Sequence, residues 1–342
     1  MSFVSLPFCV LPPYKTHYSD TSLTFPSIPA KLGLPSVPGW LVRWTPSPAG
    51  RFHPDDPGSN ATRSVQPSPS PFPFQSRPLP APWRALHLYP SIDSTQDEAR
   101  RRHAAGQPLA GMVFLAEEQT RGRGRSDRAW HSGPGGLYVT AALPLPMRLP
   151  PGYHGWLPLL GALACAETLD EIHGLQTRIK WPNDLFRGEA KLAGLLGDCL
   201  GDGYLIGMGL NWANEIEPAA LAGRFPATCL AQHARAPLEG RLPFLLHWLD
   251  RVQLLQRRLI DDLEAAVDHL AARAEAALWG RARRVHFEQT ELGPVAGELL
   301  GLTRRAAARV RVAPGRVVEL HCGHQTPATG DDPLYDHIEV LA

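Results

Sequence analysis

Proline sets the first limit on how this chain can fold. More than half of the 35 prolines lie within the first 90 of 342 residues, many as Ser-Pro or Phe-Pro. Each one fixes φ and removes a backbone donor, so neither an amphipathic helix nor a central strand can propagate there. The longest proline-free run before Trp83, Tyr14 to Phe25, is rich in Ser, Thr and Tyr and suits a helix poorly. Residues 1–85 are therefore expected to be disordered or polyproline-like. A second reading takes them as a misassigned start, because the next methionine is Met112.

The rest of the chain has the means to build a core. Hydrophobic residues make up 44% of the sequence, enough for two or three domains. With a net charge of +1 there is no global electrostatic case for nucleic acid or an anionic membrane. The five cysteines are scattered, odd in number and without a CxxC pair, which fits reduced thiols in a cytoplasmic protein better than disulfides or a zinc site. His321-Cys322-Gly323-His324 lacks further ligands at suitable spacing, and no metal site is expected. No apolar run reaches the ~18 residues that span a bilayer. The apolar start is broken by Pro7 and has no basic residue before Lys15, which argues against a secretory signal.

Order is expected from about Ala85. Leu86, Leu88 and Tyr89 suggest a strand, and Ser94 or Thr95 with Asp97 or Glu98 makes a capping box for a helix to about His103. Met112 to Ala116 reads as a buried strand, Leu137 to Leu143 as another, and Trp156 to Ile172 as a core helix. Between the first two lies Gln119 to Trp130, with Arg121, Arg123, Arg125 and Arg128, the glycines Gly122 and Gly124, and a lone Asp127. Glycines let the backbone approach a ligand, and guanidinium groups bind phosphate or carboxylate bidentately, so the loop is built to hold an anion. Read alone, it is equally an RGR-type loop, solvated or touching RNA.

Downstream, Arg178 to Leu185 is a short strand stopped by Pro182 and turned by Asn183-Asp184, and Lys191 begins the next strand. Asp184 and Lys191 are expected at the same end of the sheet. In Tyr204 to Trp212, Gly207 and Gly209 bare the backbone on one face. A helical region follows over 242–277, and from Ala282 short strands with tight turns suggest a small β-barrel of about 45 residues. Residues past Gln325 read as an irregular tail.

Together these segments resemble the biotin protein ligase family. The resemblance rests on Asp93-Ser94-Thr95 entering a helix, on Glu118-Gln119 followed by Gly122-Arg123-Gly124-Arg125, Arg128 and Trp130, and on Gly135-Gly136-Leu137-Tyr138. It continues through Lys180-Trp181-Pro182-Asn183-Asp184-Leu185, Lys191-Leu192-Ala193-Gly194-Leu195-Leu196 and Gly207-Met208-Gly209-Leu210-Asn211, over about residues 86–275. It implies an α+β fold: a mixed β-sheet with helices on one face over 86–278, an SH3-like C-terminal β-barrel over 279–325, and a tail over 326–342.

The implied activity is ATP-dependent. Biotin and MgATP would form biotinyl-5'-AMP, and a lysine of a biotin carboxyl carrier domain would then attack the acyl carbon and release AMP. Lys191, Arg123, Arg125 and Asp184 are the implied catalytic residues, with Asp184 either orienting Lys191 or serving as the base. Ser94, Thr95, Gln96, Gln119, Arg123, Gly124, Arg125 and Lys191 are the implied biotin site. Arg125, Arg128, Trp130, Lys180, Asn183 and Asn211 are the implied nucleotide site, with Trp130 stacking on the adenine. The implied partner is the carrier protein of acetyl-CoA carboxylase or a related carboxylase, and the implied assembly a monomer or homodimer.

Two positions depart from the family pattern. Gln96 stands where the family commonly has Asn, and Ser126-Asp127 follow Arg125 where a basic residue and Gly are common. Members with a helix-turn-helix also act as repressors, but a proline-broken N-terminus cannot supply one, so no specific DNA binding is expected. A lipoate or octanoate ligase or transferase shares the implied architecture and is the rival within enzymes. An RGR-type RNA-binding module is the rival from another class.

Overall fold

The computed structural model describes residues 75–125, 128–201, 203–216, 225–234, 238, 240–287, 290, 294–321 and 338–341. The readings made above for residues 1–74, for Ser126-Asp127, and for Cys322 and His324 lie outside the described residues. All described residues belong to the unit Thr62–Ala342.

Eight strands form one mixed sheet: β1 (Gln75–Pro78), β2 (Ala85–Ile92), β3 (Met112–Gln119), β4 (Leu137–Ala142), β5 (Arg178–Lys180), β6 (Asp184–Arg187), β7 (Ala190–Leu200) and β8 (Gly203–Leu210). Their order is β1-β2-β3-β4-β8-β7-β6-β5. The β2–β3 pair is parallel, with helix α1 (Thr95–Ala104) in the crossover, and the other neighbours are antiparallel. Among the described residues the first strand starts at Gln75, inside the segment 1–85 expected to be disordered or polyproline-like; it ends in a proline and lies at the sheet edge, where a missing donor is tolerated.

Alternation along the strands sorts side chains to two faces. Val113, Leu137, Val139, Ala141, Ile206, Met208 and Leu210 join the main core beneath α2 (Trp156–His173). Phe114, Ala116, Ala142 and Leu205, with Tyr89 and Ile92, close around Ala99 of α1 in a smaller cluster. The three long helices, α2, α3 (Arg241–Asp261) and α4 (Leu263–Ala276), contribute to the main core, and the short α1 covers part of the opposite face. That opposite face carries the site. β4, buried at every position, is apolar but for the hydroxyls of Tyr138 and Thr140 because both of its faces are covered.

Helix α2 has Pro158 in its first turn, where no intrahelical donor is lost, and ends at Gly174 with φ 58°. The expected single helical region over 242–277 is two helices. Asp262 takes an extended conformation that ends α3, and its carboxylate accepts from the Ala265 N–H at 3.0 Å as the N-cap of α4.

The C-terminal strands form a five-stranded antiparallel sheet, ordered β12-β11-β10-β9-β13. Its strands are β9 (Arg284–Phe287), β10 (Val295–Leu302), β11 (Ala308–Ala313), β12 (Arg316–Leu320) and β13 (Ile338–Leu341). The segment expected as an irregular tail thus supplies β13, paired with β9. Two indoles join the sheets: Trp181 Nε1 donates to the Ala306 carbonyl at 2.7 Å, and Trp156 Nε1 to that of Arg304 at 2.8 Å.

Candidate active site

The arginine loop is a narrow hairpin. Its outgoing limb is held to the end of β2, with Thr120 N donating to Ile92 O and Arg121 N to Asp93 O, both at 2.8 Å. The limbs pair through Trp130 N to Gly122 O and Gly124 N to Arg128 O, also at 2.8 Å. Gly122 is required by close approach, since a Cβ there would collide with the Trp130 carbonyl and the Ser132 hydroxyl. This folding brings Arg125, Arg128 and Trp130 to one cavity with Ser94, Thr95 and Gln96 at the start of α1.

The inner end of the site is neutral and polar. Ser94 caps α1, and its hydroxyl accepts from Asp97 N at 3.4 Å. Gln119 Oε1 accepts from Thr95 N at 2.8 Å and from its hydroxyl at 3.1 Å, while Gln119 Nε2 donates to Ser132 Oγ at 2.9 Å. Thr140 Oγ1 lies 2.9 Å from the Thr95 hydroxyl and donates to Gln96 Oε1 at 3.1 Å. Gln96 lies above Gly207, where a Cβ would sit 2.8 Å from Oε1. Its amide Nε2 is buried with no hydrogen-bond partner among the described residues. A buried donor of this kind costs free energy unless a ligand acceptor meets it.

The other end carries charge. A register shift between Leu185 and Phe186 sets Asp184 opposite Gly194, and Lys191 Nζ reaches its Oδ1 at 2.8 Å. Asn183 braces this corner by donating from Nδ2 to Leu195 O at 2.7 Å. Lys180, at the end of β5, is 5% exposed, and its ammonium lies 4.9 Å from the Phe225 ring centroid and 5.8 Å from that of Phe186. Burial pushes its pKa down to about 8, Asp184 opposes the shift, and Lys191, Arg125 and Arg128 reinforce it by like-charge repulsion.

Between the two ends lies a floor without side chains. Gly194 of β7 pairs with Gly209 of β8, and the Trp130 indole lies on this pair. A Cβ at Gly209 would collide with the ring. The Lys191 ammonium is 5.0 Å from the Trp130 ring centroid, a cation–π contact.

A cavity of about 130 Å³ is lined by most of the residues expected from the sequence: Ser94, Thr95, Gln96, Gln119, Arg123, Gly124, Arg125, Arg128, Trp130, Lys180, Asn183, Asp184 and Lys191. Asn211 is the exception. Its Nδ2 donates to the Thr228 carbonyl at 3.1 Å and its Oδ1 accepts from Asn214 at 3.3 Å, so it braces the segment after β8 rather than lining the cavity. Arg123 lines the cavity, but its Nε donates to Asp97 Oδ2 at 2.8 Å. Thr140 was missed, because a threonine inside an apolar strand gives no signal until its neighbours in space are known. The glycine pairing was missed because register across β7 and β8 is not written in either strand alone.

Residues 88–205 match the sequence signature of the Biotin/lipoate A/B protein ligase family. The Biotin--[acetyl-CoA-carboxylase] ligase of Mycobacterium tuberculosis is 31% identical over 144 residues, covering 40% of this chain and 54% of that protein. The Bifunctional ligase/repressor BirA of Escherichia coli is 34% identical over 189 residues, covering 48% and 58%. The chain thus spans about half the length of such curated relatives. The biotin protein ligase from Aquifex aeolicus, solved in complex with biotin and ATP, superposes with a TM-score of 0.58 at 26% identity, covering 68% of this chain and 94% of that one.

Proposed function

From the match of residues 88–205 to the Biotin/lipoate A/B protein ligase family, we propose that this chain activates biotin with ATP and transfers it to a lysine of a biotin carboxyl carrier domain. A carboxylate oxygen of biotin attacks the α-phosphorus and pyrophosphate leaves. The carrier amine then attacks the acyl carbon, and AMP leaves with the bonding electrons. The observation that carries this reading is that one cavity joins a neutral hydrogen-bonding end, formed by Thr95, Gln96, Gln119 and Thr140, to a cationic end formed by Arg125, Arg128, Lys180 and Lys191. A cyclic urea suits the first. A carboxylate meeting a phosphate needs the second, because fixed positive charge stabilises the charge that builds on phosphorus. Lipoate has no polar ring to meet the orphaned Gln96 amide, which supports biotin over that rival.

Each residue then has a task. Lys191, oriented by Asp184 and resting against Trp130, neutralises the joined carboxylate and phosphate. Arg125 and Arg128 hold phosphate from the loop side, and Lys180 from the sheet side. Trp130 covers the glycine floor and is the surface against which an adenine would stack. Among the described residues Asp184 is the one carboxylate lining the cavity and it pairs with Lys191, and no cluster of three or more metal-ligating side chains occurs among them. These residues do not form a magnesium cage, so Mg²⁺ would arrive on the nucleotide's own phosphates.

The wider reading is a ligase domain over the expected 86–278, extended by the strand Gln75–Pro78, and a small C-terminal β domain over 279–325, extended by Ile338–Leu341, in a cytoplasmic monomer or homodimer. The carrier of acetyl-CoA carboxylase or a related carboxylase is the partner, without specific DNA binding. Among the described residues no helix is long and apolar enough to cross a membrane. Exchange of labelled pyrophosphate into ATP tests the activity. It is expected with biotin, not with lipoate, and Lys191→Ala should lower it about a hundredfold or more. Lipoate-dependent exchange would move the assignment to the rival ligase. RNA binding unaffected by Lys191→Ala, with no exchange, would assign the loop to an RGR-type RNA-binding module.

A further inference from the structure

Asp97 is the third residue of α1, where an acidic side chain ordinarily reaches back to the N-cap N–H. Here it does not. The Ser94 N–H is taken at 2.7 Å by Asp93 Oδ1, which leaves the Asp97 carboxylate for other partners. Its Oδ2 accepts from Arg123 Nε at 2.8 Å, across 26 positions of chain, and its Oδ1 accepts from Arg100 Nη1 at 3.3 Å. Arg100 is itself anchored to Asp198 of β7, with Nε donating at 2.8 Å. A line of alternating charge, Asp198–Arg100–Asp97–Arg123, therefore runs from the sheet through α1 to the loop.

Arg123 stands where the outgoing limb has left β2, and its backbone bridges to Ala129 of the returning limb. Its ion pair with Asp97 fastens the limb at that point. The backbone next to it, Gly124 and Arg125, forms the wall of the cavity. We propose that Asp97 is a positioning residue: it clasps Arg123 to α1, and so sets how long the loop retains a ligand beneath it. The effect on the reaction rests on the ligase reading above. The chemical step is left to Arg125, Lys180 and Lys191, which stand apart from the Asp198–Arg100–Asp97–Arg123 line. Partly exposed ion pairs are individually weak, and a network with one member fixed to a strand loses less entropy on pairing, so an effect of about three- to tenfold is expected.

The test compares Asp97→Gln with Asp97→Glu in the full chain. Gln and Glu match each other in shape, each one methylene longer than Asp, and both suit the third helical position, but only Glu carries the charge. The acyl-adenylate is formed from biotin and MgATP, and its release is followed after dilution into a trap. Release should quicken about three- to tenfold in Asp97→Gln and stay near wild type in Asp97→Glu. The KM for biotin should rise by a similar factor, while kcat for pyrophosphate exchange stays within about twofold. A release rate for Asp97→Gln within twofold of wild type, or equal acceleration in both variants, would overturn the proposal. A second readout does not depend on the reaction: limited trypsin on the ligand-free proteins should cut after Arg125 faster in Asp97→Gln than in Asp97→Glu. Wild type without biotin-dependent exchange would defeat the ligase reading, and the trypsin comparison would still decide the clasp.

Discussion

A lysine buried beside three other cations is held near its titration point, and Lys180 is such a residue. The groups facing it are Asp184, Lys191, Arg125 and Arg128, with Phe186 and Phe225 against the ammonium. Its pKa of about 8 should rise when phosphate enters, because an anion favours the charged form. Nucleotide binding above that pH therefore takes up a proton, and affinity should weaken as pH rises through 8, by up to about tenfold per unit. The KM for ATP measured from pH 7 to 9.5 checks this, with Lys180→Met expected to flatten the profile. Stability runs in the opposite direction. An unfolded lysine titrates near ~10.4, so between about pH 8 and 10.4 the unfolded chain holds more protons and the fold gains stability as pH rises. At this scale the residue types at the site were legible, because glycine, arginine and lysine at those spacings have few other uses. What Arg123 and Asn211 touch was not. Each finds a nearer partner, Asp97 and the Thr228 carbonyl, through the fold rather than the chain.

Helices and strands divide in the same way between local and distant causes. The start of α1, the end of α2 at Gly174 and the turn at Pro182 follow from chemistry within a few residues, and they were readable. The break between α3 and α4 is local too, yet 242–277 reads as one helical stretch because apolar spacing continues through it. Asp262 supplies the break by leaving helical geometry and capping the second helix. Asp262→Ala should cost about 1 kcal/mol, seen as a lowered urea midpoint, while Asp262→Ser should recover most of it. Strands β1 and β13 were not legible, because an edge strand with a proline or a short apolar stretch earns its place only from the neighbour it pairs with.

Across the whole molecule, the two sheets share one core. Val285, Phe287, Leu299 and Val310 of the smaller sheet join the same buried cluster as Trp156 and Trp181 of the larger part, and Trp181 meets Phe287 edge-on at 6.0 Å. A chain ending at Leu278 would expose those faces and remove the carbonyl acceptors of both indoles, which is expensive for buried groups. It should lose stability and bind an apolar dye, although no cavity residue has been removed; a truncated chain that melts like the full one would show the sheets to be independent. The joint between them has a further property. Its acceptors at Arg304 and Ala306 are main-chain carbonyls, and Ala306 is buried with φ at 63°. The larger part therefore recognises the path of a turn rather than the identity of its side chains. Residues around that turn can drift, and another small β unit could be grafted in its place, provided the replacement offers two carbonyls along the same route. At Ala306 itself the room to drift is narrow: glycine is the exchange that a left-handed backbone accepts most readily.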